Sequence, residues 1–178
     1  MLNLMQSERL YLRKLTLDDA KELFVLASDP DVGIHAGWKP HASIEETEEV
    51  LDTILINDNN FGIFLKEGDV LIGCVGIQKD LHRTAFMKTI GYWIGKAYWG
   101  HGYVVEASRI ILDQLFFEEH EPYVSINHYA TNDRSRRVIE KLGFKKEGML
   151  VQGAKDTMGN VHDIVLYVLS ENDYKETR

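Results

Sequence analysis

The stretch IGYWIGKAYWGHGYVVEASRIILDQL, residues 90–115, constrains the fold more than any other part of the chain. Ile90–Ile94 is rich in β-branched and aromatic residues and reads as a buried strand. Gly95–Gly102 is a connector holding Gly95, Gly100 and Gly102. From Tyr103 the spacing of Val104, Ala107, Ile111 and Leu115 predicts a helix, with Glu106, Arg109 and Asp113 on a solvated opposite face. A strand that feeds a glycine turn into a helix presents unpaired backbone N–H groups, which bind anions. Glycine lets a phosphate approach the backbone. Residues His101–Val105 therefore read as a pyrophosphate cradle. Two glycines one residue apart are weak evidence alone. A dinucleotide fingerprint would need glycine where Val105 stands, and no GxxxxGK[ST] run exists.

At 178 residues the chain is expected to be one domain, 1–178, with a sizeable core. Its formal net charge of −8 argues against nucleic-acid binding and suits a cationic partner. The single cysteine, Cys74, lies in the apolar run VLIGCVGI and reads as buried, so disulfide scaffolds and cysteine-based zinc sites are excluded. His35, His82, His120 and His128 share no metal-site spacing. With no membrane-length apolar run and no leader-like N-terminus, the expected setting is cytoplasmic, without membrane partners.

Pattern and turn signals predict a first strand at Arg9–Leu15, a helix from Thr16 ending before Asp29-Pro30, and an irregular segment over Asp31–Ala42. A second helix runs from Ser43 to about Asn57. Strands follow at Phe61–Leu65, Val70–Gln78 and Ala85–Ile94, then the central helix to about Phe117 and a strand at Tyr123–Ala130. Asn132 caps a short helix that Gly143 ends, and Phe144–Val151 with Val161–Leu169 form a last strand pair. The order β α α β β β α β α β β implies an α+β, three-layer α/β/α domain on a mixed, mostly antiparallel sheet.

Three blocks, IGYWIGKAYWGHGYVVEA, NDRSRRVIEKLGFKKEG and GNVHDIVLYVL, together with the opening SERLYLRKLTLDDA, resemble the GNAT superfamily of N-acetyltransferases. Within it the chain is similar to the RimJ/RimL-like branch of ribosomal-protein N-terminal acetyltransferases. The resemblance implies a sheet splayed at the cofactor site and acetyl-CoA as co-substrate, with no metal. It implies that backbone groups near Trp93 and Ile94 bind the pantetheine arm, and that Trp99, Gly100, His101, Gly102, Tyr103, Val104 and Val105 hold the pyrophosphate. Trp99 and Val104 depart from the superfamily's usual residues there. Asn132 would contact the pantetheine arm, and Ser135 would sit near the sulfur and protonate the leaving thiolate. Trp38 would lie at the acceptor mouth. Asp163 is assigned to structure or substrate binding, because neighbouring strand residues His162 and Asp163 point to opposite faces.

The chemistry sets its own requirements. An amine must be neutral to attack a thioester, so its proton needs an acceptor. The branch's glutamate falls at Lys155 here, which leaves adjacent Asp156 as the candidate base. The oxyanion needs a fixed donor, and direct transfer rests chiefly on positioning. The expected function is acetyl transfer to a primary amine, a protein N-terminus such as that of a ribosomal protein ranking first. A polyamine, aminoglycoside or amino-acid acetyltransferase and a non-catalytic CoA-binding module are the alternatives. The acceptor and the oligomeric state, homodimer included, do not follow from the sequence.

Overall fold

A computed structural model describes residues 5–83 and 87–177 of the chain. Its strands are β1 (Met5–Gln6), β2 (Leu10–Arg13), β3 (Asn60–Leu65), β4 (Val70–Lys79), β5 (Lys88–Ile94), β6 (Tyr123–Tyr129), β7 (Lys145–Lys155) and β8 (Val161–Ser170). They form one mixed sheet in the order β1-β2-β3-β4-β5-β6-β8-β7. Among the described pairings β5 runs parallel to β6 and the rest are antiparallel. The helices are α1 (Ala20–Ala27), α2 (Pro30–Ala36), α3 (Ile44–Val50), α4 (Tyr103–Asp113), α5 (Asp133–Lys141) and α6 (Glu171–Glu176). This is the mixed sheet with helices that the sequence implies. Residues 84–86, at the start of the strand expected from Ala85, lie outside the described residues.

The chain divides into two compact units, Met1–Gly76 with Tyr92–Ala107 and Ile77–Gly91 with Ser108–Arg178. In the first, Leu15, Ala20, Leu23, Leu51, Phe64, Leu71 and Cys74 make one buried cluster, against which Tyr11, Leu26 and Trp93 pack. Leu23 is fully buried on the apolar stripe of α1, a contribution of about 1.5–3 kcal/mol. Burial in this cluster pushes the Cys74 thiol well above its ordinary range, so it stays protonated and unreactive. Gly73 of β4 is packed against β5. A Cβ there would land on the carbonyl oxygen of Trp93 and 2.8 Å from the Cα of Ile94.

The expected irregular segment is partly helical. Asp29 caps α2 by accepting the Asp31 N–H at 2.9 Å, and Pro30 occupies its first position. The dipeptide that ends α1 therefore starts another helix. The helix from Ser43 closes on a π-type turn over Leu51–Leu55, with the Ile56 N–H donating to the Leu51 carbonyl at 2.8 Å.

In the second unit, β6 pairs with β8 from Tyr123↔Ser170 to Tyr129↔Ile164, and with β5 at Lys88↔Val124 and Thr89↔Ser125. Ile111, Leu112, Leu115 and Phe116 are fully buried. The Tyr174 hydroxyl of α6 donates to Asp113 at 2.8 Å, so Asp113 belongs to no freely solvated ridge. β7 is longer than expected and is bulged between Leu150 and Ala154, with Gln152 at φ 53.

Candidate functional site

The turn before α4 has the geometry of an anion cradle. Gly100 and Gly102 adopt φ of 82 and 81, a left-handed conformation that side-chain-bearing residues rarely take. A Cβ at Gly100 would meet nothing within 4 Å, and one at Gly102 would meet Arg9 Nη2 at 3.7 Å. The first intrahelical bond is from Glu106 N–H to the Gly102 carbonyl at 3.1 Å, so the amides of Tyr103, Val104 and Val105 precede the helical ladder. Val104 is buried, which takes its bulk away from the solvent side of the turn. His101 is exposed and stacks on Tyr103, ring centroids 5.5 Å apart. These residues fit the diphosphate of CoA: open space over Gly100, amides that precede the helical ladder and the positive end of an eleven-residue helix.

A brace that local pattern could not reveal fixes the cradle. Glu106 was expected on a solvated ridge. Instead its carboxylate accepts from the Ser7 hydroxyl at 2.6 Å, the Arg9 backbone N–H at 3.0 Å and Arg9 Nε at 2.8 Å. Burial raises the Glu106 pKa, but the bonds from Ser7 and Arg9 outweigh it and hold the carboxyl below its ordinary range. Arg9 also donates to the His101 carbonyl at 3.1 Å and lies over the Tyr103 ring at 4.5 Å. No helical periodicity links residues 97 apart, so only a tertiary view finds this contact.

Trp99 has a bracing role as well. Its indole N–H donates to the Ile94 carbonyl at 3.0 Å, tying the turn to the end of β5. The Gly95 N–H donates to the Ile72 carbonyl at 2.9 Å, which anchors the same end to β4. Trp38 packs edge-on against Trp93 with centroids 5.2 Å apart, so two of the predicted site residues meet. The Trp38 indole nitrogen is buried and has no hydrogen-bond partner among the described residues.

In the second unit, Asn132 Oδ1 accepts the Ser135 N–H at 3.1 Å and caps α5. The Asn132 N–H donates to the Tyr129 carbonyl at 2.7 Å, which folds the end of β6 into that helix. The Tyr129 ring stacks on His162 at 4.1 Å and 13°. His162 Nε2 lies 2.9 Å from Asp156 Oδ2. Asp156 also accepts from the backbone N–H groups of Met158 and Asn160 and from the Asn160 side chain, at 2.8 to 2.9 Å. Its side chain is only 1% exposed. Asp163 turns the other way, accepting the Gln152 N–H at 2.7 Å, and so holds the bulge of β7. The partner of His162 is thus the acid across the turn and not its sequence neighbour.

The bond from His162, followed by those from Asn160 and Met158, draws the Asp156 pKa down to about 2 against the opposing effect of burial. A depressed carboxylate stabilises the fold fully above its unfolded pKa, about 3.9, and loses that contribution as pH falls through the folded value. Asp156→Asn is therefore expected to flatten the decline in stability between about pH 4 and about 2. Urea midpoints measured across that range check this, and unchanged pH dependence would contradict it.

Among the described residues, no helix is long and apolar enough to cross a membrane. The family model described as the acetyltransferase (GNAT) domain matches residues 9–145. The uncharacterized N-acetyltransferase p20 of Bacillus licheniformis is 29% identical over 175 residues, covering 94% of this chain and 96% of that protein. The [ribosomal protein uS5]-alanine N-acetyltransferase of Escherichia coli is 28% identical over 121 residues, 66% of this chain and 60% of that one. The crystal structure of a GNAT-family acetyltransferase from Bacillus anthracis superposes with a TM-score of 0.83 at 24% identity, covering 95% of this chain and 99% of that chain.

Proposed function

Because the chain belongs to the GNAT family of acetyltransferases, we propose that it moves an acetyl group from acetyl-CoA to a protein N-terminal amine, such as that of a ribosomal protein. The cradle at residues 99–105 carries the cofactor half of this reading. It pairs open glycine backbone at φ 82 and 81 with the amides that start α4. Trp93 and Ile94 are assigned to the pantetheine arm, and Asn132 and Ser135 to the arm and its sulfur. The acetyl thioester is what CoA supplies. The chain's residues hold it, offer main-chain donors to the developing oxyanion and exchange protons with the reacting groups. Ser135 is the assigned donor to the departing thiolate, and Asp156 belongs to the proton-accepting side.

The acceptor class is supported by the named activity of the E. coli relative and by charge. A net −8 favours basic N-terminal segments over acidic ones. Trp38, packed on Trp93, is assigned to the acceptor mouth, and Asp163 to the shape of its own hairpin. The test is a steady-state comparison of thiol release with acetyl-CoA and either a basic peptide beginning with alanine, a polyamine, an aminoglycoside or a free amino acid. The peptide is expected to have the highest kcat/KM. A higher value for any of the small amines would replace the protein-terminus reading with a small-molecule one.

A further inference from the structure

We propose that His162, oriented by Asp156, accepts the proton that the attacking amine must lose. This rests on the acetyl-transfer reading and assigns the one chemical role that reading leaves open. Asp156 is poorly arranged to meet an amine itself. Its carboxylate is buried and receives four hydrogen bonds, three from Met158 and Asn160 within its own turn and one from His162. His162 differs. Its side chain is 23% exposed, so a solvent-borne group can reach it.

The arrangement fixes which nitrogen does the work. With Nε2 donating to Asp156 at 2.9 Å, the neutral ring carries its lone pair on Nδ1. Stacking on Tyr129 at 4.1 Å and 13° holds the ring plane. Tyr129 in turn leads through the bond from Asn132 N–H into the Asn132–Ser135 cap. The imidazole therefore stands at the end of β6 that carries the residues assigned to the thioester, within one unit of the chain. Among the described residues, the titratable groups in contact with the ring include Asp156 and Tyr129. Burial raises the Tyr129 pKa, so it remains a neutral phenol through the working range. Asp163 is turned to Gln152, and Lys155 pairs with Val161 rather than with His162.

The step balances simply. The amine nitrogen forms the new bond to the acetyl carbon and its proton passes to His162 Nδ1. The carbon–sulfur bond breaks with its electron pair going to sulfur, which takes a proton from solvent, directly or through Ser135, whose hydroxyl regains its proton from water. His162 then returns its proton to water. The buried carboxylate stabilises the transient imidazolium, so Asp156 is a positioning residue and His162 the catalytic one.

The test uses thiol release from acetyl-CoA with the alanine-initiated peptide, across pH 5 to 9, for wild type, His162→Gln and Asp156→Asn. Glutamine can keep the bond to Asp156, and thermal melts check the fold. General-base removal is expected to lower kcat by roughly 10²-fold or more. KM for acetyl-CoA should stay unchanged. The wild-type kcat should fall toward the acid end of that pH range, and His162→Gln should lack that limb. Asp156→Asn should lower kcat with the same KM. A folded His162→Gln with wild-type kcat and the same pH limb overturns the dyad and leaves acetyl transfer standing. Wild-type protein that binds CoA calorimetrically yet releases no thiol with any amine overturns both.

Discussion

A Gly102→Val enzyme is expected to fold and yet lose most of its grip on acetyl-CoA. The reason is conformational. Gly102 sits at φ 81, where a side chain strains the backbone by about 1–2 kcal/mol, and for a β-branched residue the strain is worst. Space is not the obstacle, because an added Cβ would meet nothing nearer than Arg9 Nη2 at 3.7 Å. The fold can absorb that cost, with Tm lower by about 2–8 °C. Relaxation of the strain turns the amides of Tyr103 and its neighbours away from a common point, however. Each charge-assisted bond lost there is worth about 1.5–3 kcal/mol. KM for acetyl-CoA should therefore rise on the order of 10- to 100-fold. Saturating acetyl-CoA should restore much of the rate. An unchanged KM would show that the phosphates are held elsewhere.

Gly73→Val should be the more damaging substitution, and for a different reason. The added carbon would strike the Trp93 carbonyl oxygen and approach the Ile94 Cα to 2.8 Å. Both are backbone atoms of β5, so no rotamer change relieves the collision. The strand must move away from β4, breaking the anchor between Gly95 N–H and the Ile72 carbonyl. Overpacking of side chains costs about 1–3 kcal/mol, and a main-chain clash should exceed that range. Loss of soluble protein, or a Tm lower by more than about 6 °C, is the expected result. A stable Gly73→Val protein with normal acetyl-CoA affinity would mean that this close approach does not set the course of β5.

The parts of the molecule written in short-range pattern were legible. The glycine turn, the strand before it and the apolar stripe of α4 follow from local stereochemistry, and Val104, Ala107, Ile111 and Leu115 are all buried as their spacing implies. The α2 helix was misread because Asp29-Pro30 carries two meanings. Proline cannot follow inside α1, but it fits the first position of the next helix. Glu106 was misread because helical periodicity says nothing about a bend 97 residues away whose arginine pairs with it. The opposite faces of His162 and Asp163 were legible, but the contact between His162 and Asp156 was not. A residue six positions earlier, across a turn closed by Asn160, is the one in contact. Such a pairing becomes visible from sequence only if the hairpin register is known, and the bulge at Gln152 shifts that register.

The roles assigned to the two ends of the chain share one physical basis. Polar groups that would be costly to bury alone are satisfied by partners that also fix geometry. Glu106 is satisfied by Ser7 and Arg9 and thereby steadies the cradle. Asp156 is satisfied by its own turn and thereby orients an imidazole. In both cases a hydrogen-bonded carboxylate fixes the position of its neighbours.

A crystal structure of the chain with acetyl-CoA tests the central claim most directly. The account predicts diphosphate oxygens within about 3 Å of the main-chain nitrogens of Tyr103, Val104 and Val105, over Gly100 and Gly102. Clear density for the cofactor with its phosphates away from the start of α4 would contradict it.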